Sequence, residues 1–345
     1  MIKAAEKPSL RHDSRCGISI LFATHNGERT LPILLDALTK LKQPDIPWEV
    51  VAVDNASTDA TPQILREAAK KLPLRVLASP RPGKHEAIKR GAELVGGDLV
   101  LFTDDDVKPS PDWLTAYVDA ANVHQASSLF GGPIIPAAIE PVSPWFDASF
   151  GHHEVLFARS QHPAGEVDAT AFLYGPNFLI RSTEIGVLDE IPANLGPAFD
   201  RPTNYAMGVD SAIVQALVLR GARPIFVPDA SVQHCVRGYQ TELKYLLARA
   251  ERHGRGIALR RIALSKHPRL TRSRIFAENA LSYAKARLSE PQKPAASERD
   301  FDRLWAVHWP LGAMKGALMP IAQAALPPVS GKRGSGLKQV REGLF

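Results

Sequence analysis

Short apolar runs recur through the first third of the chain, each closed by polar turn chemistry. Residues 18–23 (ISILFA) end at Thr24-His25-Asn26-Gly27, Val50 to Val53 end at Asp54, Leu74 to Ala78 form a third run, and Leu99 to Phe102 run through Thr103 into Asp104-Asp105-Asp106. Runs of this length, bounded by turn residues, read as buried strands. Between them the spacing turns helical. Leu31, Leu34, Leu35, Leu38 and Leu41 share a face behind Thr30 as a cap, Thr61-Pro62 opens a second helix, and a third spans about His85 to Leu94. Ser110-Pro111 repeats the start signal for a helix bearing Trp113 and Val118. The βαβαβαβ order predicts a parallel sheet with helices on both faces.

Beyond about residue 130 the regularity weakens. Pro133, Pro136, Pro141 and Pro144 imply irregular chain, residues 145–159 suit a short helix, and Gly175-Pro176-Asn177 separates two apolar stretches. A helix is expected over 208–220 and a strand over 224–227, leading to Asp229 and His234. From Thr241 the pattern is helical and basic, with a linker at 291–297 and an end rich in Gly, Lys and Arg that is expected to fray. The expected organisation is a flexible start over 1–16, a catalytic unit over 17–240 (split at 107/108 into nucleotide-binding and acceptor halves), a helical region over 241–326 and a disordered tail over 327–345.

Composition narrows the class. The chain has 345 residues, 45% of them hydrophobic and 23% charged, as expected of a globular protein. Its two cysteines, Cys16 and Cys235, suit neither a disulfide framework nor a zinc site. The first 17 residues lack the apolar stretch of a signal peptide, and no run reaches membrane-span length. A cytoplasmic location is therefore expected. Charge is uneven: residues 241–345 carry 20 Lys and Arg against 8 Asp and Glu, whereas the whole chain is only +6. A basic end behind an acidic body suits an anionic surface or substrate, although a solvated helical face would look the same.

Three strand ends converge on one rim of the expected sheet: Thr24 to Asn26, Asp54, and Asp104 to Asp106. Ligands bind at the carboxyl ends of such strands. Adjacent acids repel one another unless a cation neutralises them, and oxygen ligands of this kind suit Mg²⁺ or Mn²⁺ held jointly with substrate phosphates. An acidic turn is the plain alternative. Neither a Gly-x-Gly-x-x-Gly after the first strand nor a Walker A motif occurs, which argues against dinucleotide and P-loop readings.

Taken together and in order, five stretches resemble the family 2 glycosyltransferases of the GT-A fold: 18–28 (ISILFATHNGE), 51–61 (VAVDNASTDAT), 81–91 (RPGKHEAIKRG), 98–114 (DLVLFTDDDVKPSPDWL) and 208–236 (GVDSAIVQALVLRGARPIFVPDASVQHCV). The resemblance covers about residues 17–240. It implies an α/β, GT-A-like nucleotide-diphospho-sugar transferase fold with a mostly parallel sheet and a basic helical C-terminal extension. It implies that Thr24, Asn26, Glu28, Asp54 and Lys84 line the nucleotide pocket with Asp104 and Asp105, the latter as spacer of an Asp-x-Asp motif. It also implies that Asp106 and His234 face the metal and that Asp210 is the general base. Many relatives carry Glu-Asp at the base position; here Val209 replaces the first acid.

The implied activity is metal-assisted transfer, with inversion, from a nucleotide-diphospho-sugar, expected to be a UDP-sugar, to a glycan or glycolipid acceptor in cell-surface polysaccharide or glycolipid synthesis. No nucleic-acid partner is expected. Two rivals are a nucleotidyltransferase, which would carry a Gly/Arg-rich loop where Thr24-His25-Asn26-Gly27 stands, and a non-catalytic binding subunit, against which Asp104, Asp106, Asp210 and His234 argue. Alternatively, Asp210 would cap a helix starting near Ser211. His152-His153-Glu154 invites a metal reading, but adjacent histidines diverge on either a strand or a helix. Arg252, Arg255, Arg260 and Arg261, in a region that Gly254 and Gly256 are expected to break, precede a patch of Trp305, Trp309, Leu311, Met314, Leu318 and Met319 beside Lys315. Such a pairing suits peripheral contact with anionic lipid at the inner face of the membrane, and packing on the catalytic domain is the competing account. Pro310 and Pro320 bracket too short a helix to span a bilayer.

Overall fold

The computed structural model describes residues 17–80, 83–168, 173–191, 195–196 and 205–319. The expected N-terminal segment 1–16, the tail 327–345, Cys16 and Pro320 lie outside the described residues.

The first half builds as the alternation predicts: β1 (Ile18–Thr24), α1 (Leu31–Thr39), β2 (Trp48–Asn55), α2 (Thr61–Ala68), β3 (Leu74–Ser79), α3 (Lys84–Ala92) and β4 (Leu99–Thr103). The four strands are parallel in the order β3-β2-β1-β4. Every residue of β1 and β4 is buried, because helices cover both faces. Alternate residues feed two cores. Ile20, Phe22, Val50, Ala52 and Leu101 pack with α1, whereas Leu21, Val51, Val53 and Phe102 pack toward α3 and the region after β4.

The second half contains β5 (Val107–Pro109), α4 (Trp113–Val123), β6 (Leu129–Gly131), β7 (Ile134–Ala138), α5 (Trp145–Ala148), α6 (His153–Phe157), β8 (Gly165–Glu166), β9 (Asn177–Arg181), α7 (Val209–Leu219), β10 (Pro224–Phe226) and β11 (Val232–Val236). Helix α4 starts two residues after Pro111, with Asp112 as its cap residue. The sheet is mostly parallel, as expected, with antiparallel strands the alternation did not place. The large sheet has eight strands, and β9 inserts antiparallel between β4 and β6. Its apolar face satisfies the same burial pattern in either direction, so periodicity could not reveal its sense. Phe178 of β9 stacks on Phe102 at 4.6 Å between centroids, which locks the strand against β4. A small second sheet, β5-β11-β7, lies beyond β4.

Three helices follow: α8 (Leu243–Ala263), α9 (Pro268–Arg287) and α10 (Glu298–Leu318). Two expectations fail here. Gly254 and Gly256 do not break α8. Instead they let backbone approach, since a Cβ on Gly254 would strike the Trp309 carbonyl of α10 and one on Gly256 the Met207 carbonyl. Pro310 does not bound a short helix; it is buried inside α10. The aromatic patch packs largely inward, with His152 stacked 4.2 Å from Trp305 and Trp309 joining a cluster of Ala258, Ile262, Ile275 and Ala313. Arg252, Arg255 and Arg260 are likewise buried and present no charge to an outer surface. Among the described residues, no helix is long and apolar enough to cross a membrane.

Candidate active site

Parallel pairing sets Thr24 beside Asp54, so the loops after β1 and β2 share one rim. Asn26, in the left-handed region at φ 54°, accepts from the Thr58 N–H at 2.8 Å and donates its own N–H to Ser57 at 3.0 Å. Glu28 accepts from the Ala60 N–H at 3.3 Å and donates its N–H to Asp59 at 3.1 Å. Asp54 is buried and accepts from the Ser57 N–H at 3.0 Å. Asn26, Glu28 and Asp54 thus brace the loops of the rim on which the sequence placed them.

The three acids after β4 take three different partners. Lys84, the first residue of α3, donates to Asp104 at 2.5 Å. The Thr24 hydroxyl donates to Asp105. Asp106 faces His234, whose Nε2 lies 3.4 Å from its carboxylate. Antiparallel pairing of β11 with β5 sets His234 opposite Val107, and the Cys235 N–H donates to the Asp106 carbonyl at 2.7 Å.

Charge follows this arrangement. Burial pushes the Asp105 carboxyl up to about 7, with Asp106 and Asp104 adding to the effect against the Thr24 hydrogen bond. Asp106 is also buried, but His234 and then Lys84 and Arg237 hold it below the usual range. Burial alone would lower the Lys84 ammonium; Asp104, Asp210 and Asp106 outweigh that and raise it. Lys84 therefore stays charged across the accessible range.

A divalent cation fits Asp106 and His234. Asp106 Oδ1 is buried without a hydrogen-bond partner among the described residues. The Nδ1–H of His234 donates to the Phe157 carbonyl at 2.6 Å, which leaves Nε2 to face Asp106. No cluster of three or more His, Cys, Asp or Glu ligands occurs among the described residues. Two protein ligands suit an ion that takes its remaining ligands from substrate phosphates and water. His152 and His153 turn to different partners, Asp302 at 2.8 Å and the Phe146 carbonyl at 2.8 Å.

Asp210 is the second residue of α7, whose cap is Gly208 in the left-handed region at φ 111°; it is not the cap itself. The Gly175 N–H bonds to its carboxylate, and a Cβ on Gly175 would collide with it. Burial raises Asp210 above the usual carboxylate range and Asp104 adds to this, while Lys84 and Arg249 oppose it. Asp210, Lys84, Asp104 and His234 all line one cavity of about 270 Å³.

Sequence reading missed much of this cavity: Glu154, Tyr174, Tyr205, Arg249 and His253 also line it. Their spacing carries no motif, because they come from α6, α8 and the loops before β9 and α7. It also missed Asn177, whose buried amide accepts from Trp113 at 2.8 Å and Tyr117 at 2.9 Å and donates to the Ala230 carbonyl at 2.7 Å. The turn signal at Gly175-Pro176-Asn177 was the one available clue.

The parallel β3-β2-β1-β4 layer with its acid-bearing rim, faced by α7, makes an α/β domain with a mostly parallel sheet. Residues 19–180 match the model of the Glycosyl transferase family 2. Asp210 and His234 lie outside that matched stretch. An undecaprenyl-phosphate 4-deoxy-4-formamido-L-arabinose transferase from Pectobacterium carotovorum subsp. carotovorum is 32% identical over 108 residues, 30% of this chain and 33% of the relative. The counterpart from Aeromonas hydrophila is 34% identical over 109 residues. The chain therefore matches about a third of the length of these relatives. Among solved structures, S. aureus TarS 1-349 in complex with UDP-GlcNAc aligns over 85% of this chain and 90% of its own, at 18% identity and a TM-score of 0.49. The mannosyltransferase PcManGT from Pyrobaculum calidifontis in complex with GDP-Man and Mn2+ aligns over 95% and 79%, at 18% identity and 0.48.

Proposed function

We propose that the chain transfers a sugar from a nucleotide-diphospho-sugar, a UDP-sugar, to an acceptor oxygen with inversion. The observation that carries this is the shared cavity, which a half-buried carboxylate (Asp210) lines together with Lys84, Asp104 and His234. Thr24, Asn26, Glu28, Asp54, Asp104 and Asp105 form the nucleotide rim. Lys84 sets a permanent positive charge beside the diphosphate. Asp106 and His234 would hold Mg²⁺ or Mn²⁺, which supplies Lewis-acid stabilisation of the departing diphosphate. Asp210, its pKa raised by burial, accepts the proton of the attacking hydroxyl, a contribution of about 10²–10⁴-fold. A single base and a single displacement invert the anomeric centre.

The relatives' name supports an acceptor in cell-envelope glycan or glycolipid synthesis. Peripheral membrane contact falls to α9 rather than to the buried arginines of α8. Helix α9 exposes Leu270 and Leu281, and Leu288 just beyond it is exposed too, among Arg269, Lys285 and Arg287. Nucleotide-sugar hydrolysis, measured with and without Mn²⁺ for wild type and Asp210→Asn, tests the mechanism. Activity indifferent to both the metal and the substitution would sink it.

A further inference from the structure

We propose that Arg249 of α8 binds an oxyanion, a phosphate or carboxylate, carried by the acceptor beside the attacking oxygen. This rests on reading the cavity as the transfer site. Arg249 lines that cavity together with Asp210, yet it comes from a helix beyond the stretch that matches family 2. The other basic groups nearby are committed. Lys84 pairs with Asp104 at 2.5 Å. Arg260 donates to the Gly208 carbonyl at 3.3 Å and to that of Met207 at 3.5 Å. His253 accepts at Nδ1 from the Trp309 indole at 2.9 Å, and burial, with Arg260 and Arg249 nearby, lowers its pKa to about 3, so it is neutral.

Arg249 makes no such ionic commitment. Its Nε donates to the Val155 carbonyl at only 3.4 Å, its side chain bonds the Tyr245 phenol, and among the described residues no carboxylate pairs with it directly. Arg249 is half-buried, and its planar fork of donors matches an oxyanion. It lines the same cavity as Asp210, so an anion held there shares that cavity with the proposed base. The donor's diphosphate is met from α3 and β4; Arg249 approaches from α8, beside α6. An acceptor whose charged group docks on Arg249 would bring its neighbouring hydroxyl to Asp210.

The test uses the full chain and two probes, inorganic phosphate and acetate, titrated calorimetrically with and without saturating UDP and Mg²⁺. Phosphate or acetate should bind the UDP·Mg²⁺-loaded protein, the stronger probe naming the class of oxyanion. Arg249→Gln should weaken that binding about tenfold or more and Arg249→Lys less, with melting temperatures as the folding control. Displacement of the anion by UDP·Mg²⁺ would show that Arg249 serves the donor, and equal binding by Arg249→Gln would show that it binds no anion; either result overturns the inference. A chain that binds UDP·Mg²⁺ without an Arg249-dependent anion overturns this inference alone. One that binds no nucleotide overturns the transferase reading with it.

Discussion

The Arg260 guanidinium donates to the carbonyl of Gly208 at 3.3 Å, joining the C-terminal helix α8 to the residue that caps α7, the helix that carries Asp210. Three further contacts grip the same segment: the Met207 N–H donates to the Arg252 carbonyl at 3.0 Å, Arg255 donates to the Tyr205 carbonyl at 3.3 Å, and Gly256 abuts the Met207 carbonyl. Helix α8 therefore sets where α7 begins, and with it where Asp210 points. Arg260→Met should lower the transfer rate by about tenfold, the equivalent of one charge-assisted hydrogen bond, while nucleotide binding stays within about twofold. Single-turnover kinetics beside calorimetric UDP binding check this. Equal losses in both would mean that Arg260 only supports the fold.

Gly175 makes a further contact with Asp210. Gly175→Ala drives a methyl group into the Asp210 carboxylate, so the base must shift. Activity should fall by about 10²-fold, because misplacing a reacting group by about 1 Å costs that much. The melting temperature should drop little, since the only close clash is with a side chain and not with backbone. An Ala variant with wild-type turnover would show that Asp210 is not positioned from this side.

The acids after β4 should separate by function. Asp106→Asn removes the unpartnered oxygen and the His234 partner, and should abolish tight Mn²⁺ binding as read by paramagnetic resonance or calorimetry. Asp105→Asn keeps the shape of a carboxyl already pushed up to about 7 and held by Thr24, and should change Mn²⁺ affinity only about two- to threefold. The reverse order of effects would move the metal to Asp105.

Glu251 of α8 ties down α10. It accepts from His308 at 2.9 Å and Lys315 at 2.5 Å. Burial would raise its pKa, but these two partners outweigh it and hold the carboxyl at about 2. A carboxyl lowered on folding contributes stability that is fully present above its unfolded value near 4.5 and is lost as pH falls toward 2. The wild-type melting temperature should therefore decline over that window. Glu251→Gln should start lower at pH 7 and decline less, which differential scanning calorimetry across pH 2 to 7 would show.

Local chemistry accounts for most of the first half. Apolar runs that alternate with helical faces leave a chain one economical way to bury both, which is the parallel β3-β2-β1-β4 layer. The turn residues that end those runs necessarily collect on one rim. The sequence therefore set Thr24, Asp54 and Asp104 to Asp106 on one rim before any coordinates, and the family resemblance named Asp210 and His234 as further candidates. Tertiary structure decided the rest. The direction of β9 depends on how the chain returns to the sheet, and an apolar strand pairs equally well in hydrophobic terms either way. Gly254, Gly256 and Pro310 read as helix breakers because isolated propensity is a local quantity, but close packing of α8 on α10 and on Met207 offsets it. Likewise, a run of arginines looks like a charged surface until the fold turns Arg249 toward the cavity and Arg260 toward the carbonyls of Met207 and Gly208 at the start of α7. Burial and partnership are properties of residues far apart in the chain, so only the assembled structure could assign them.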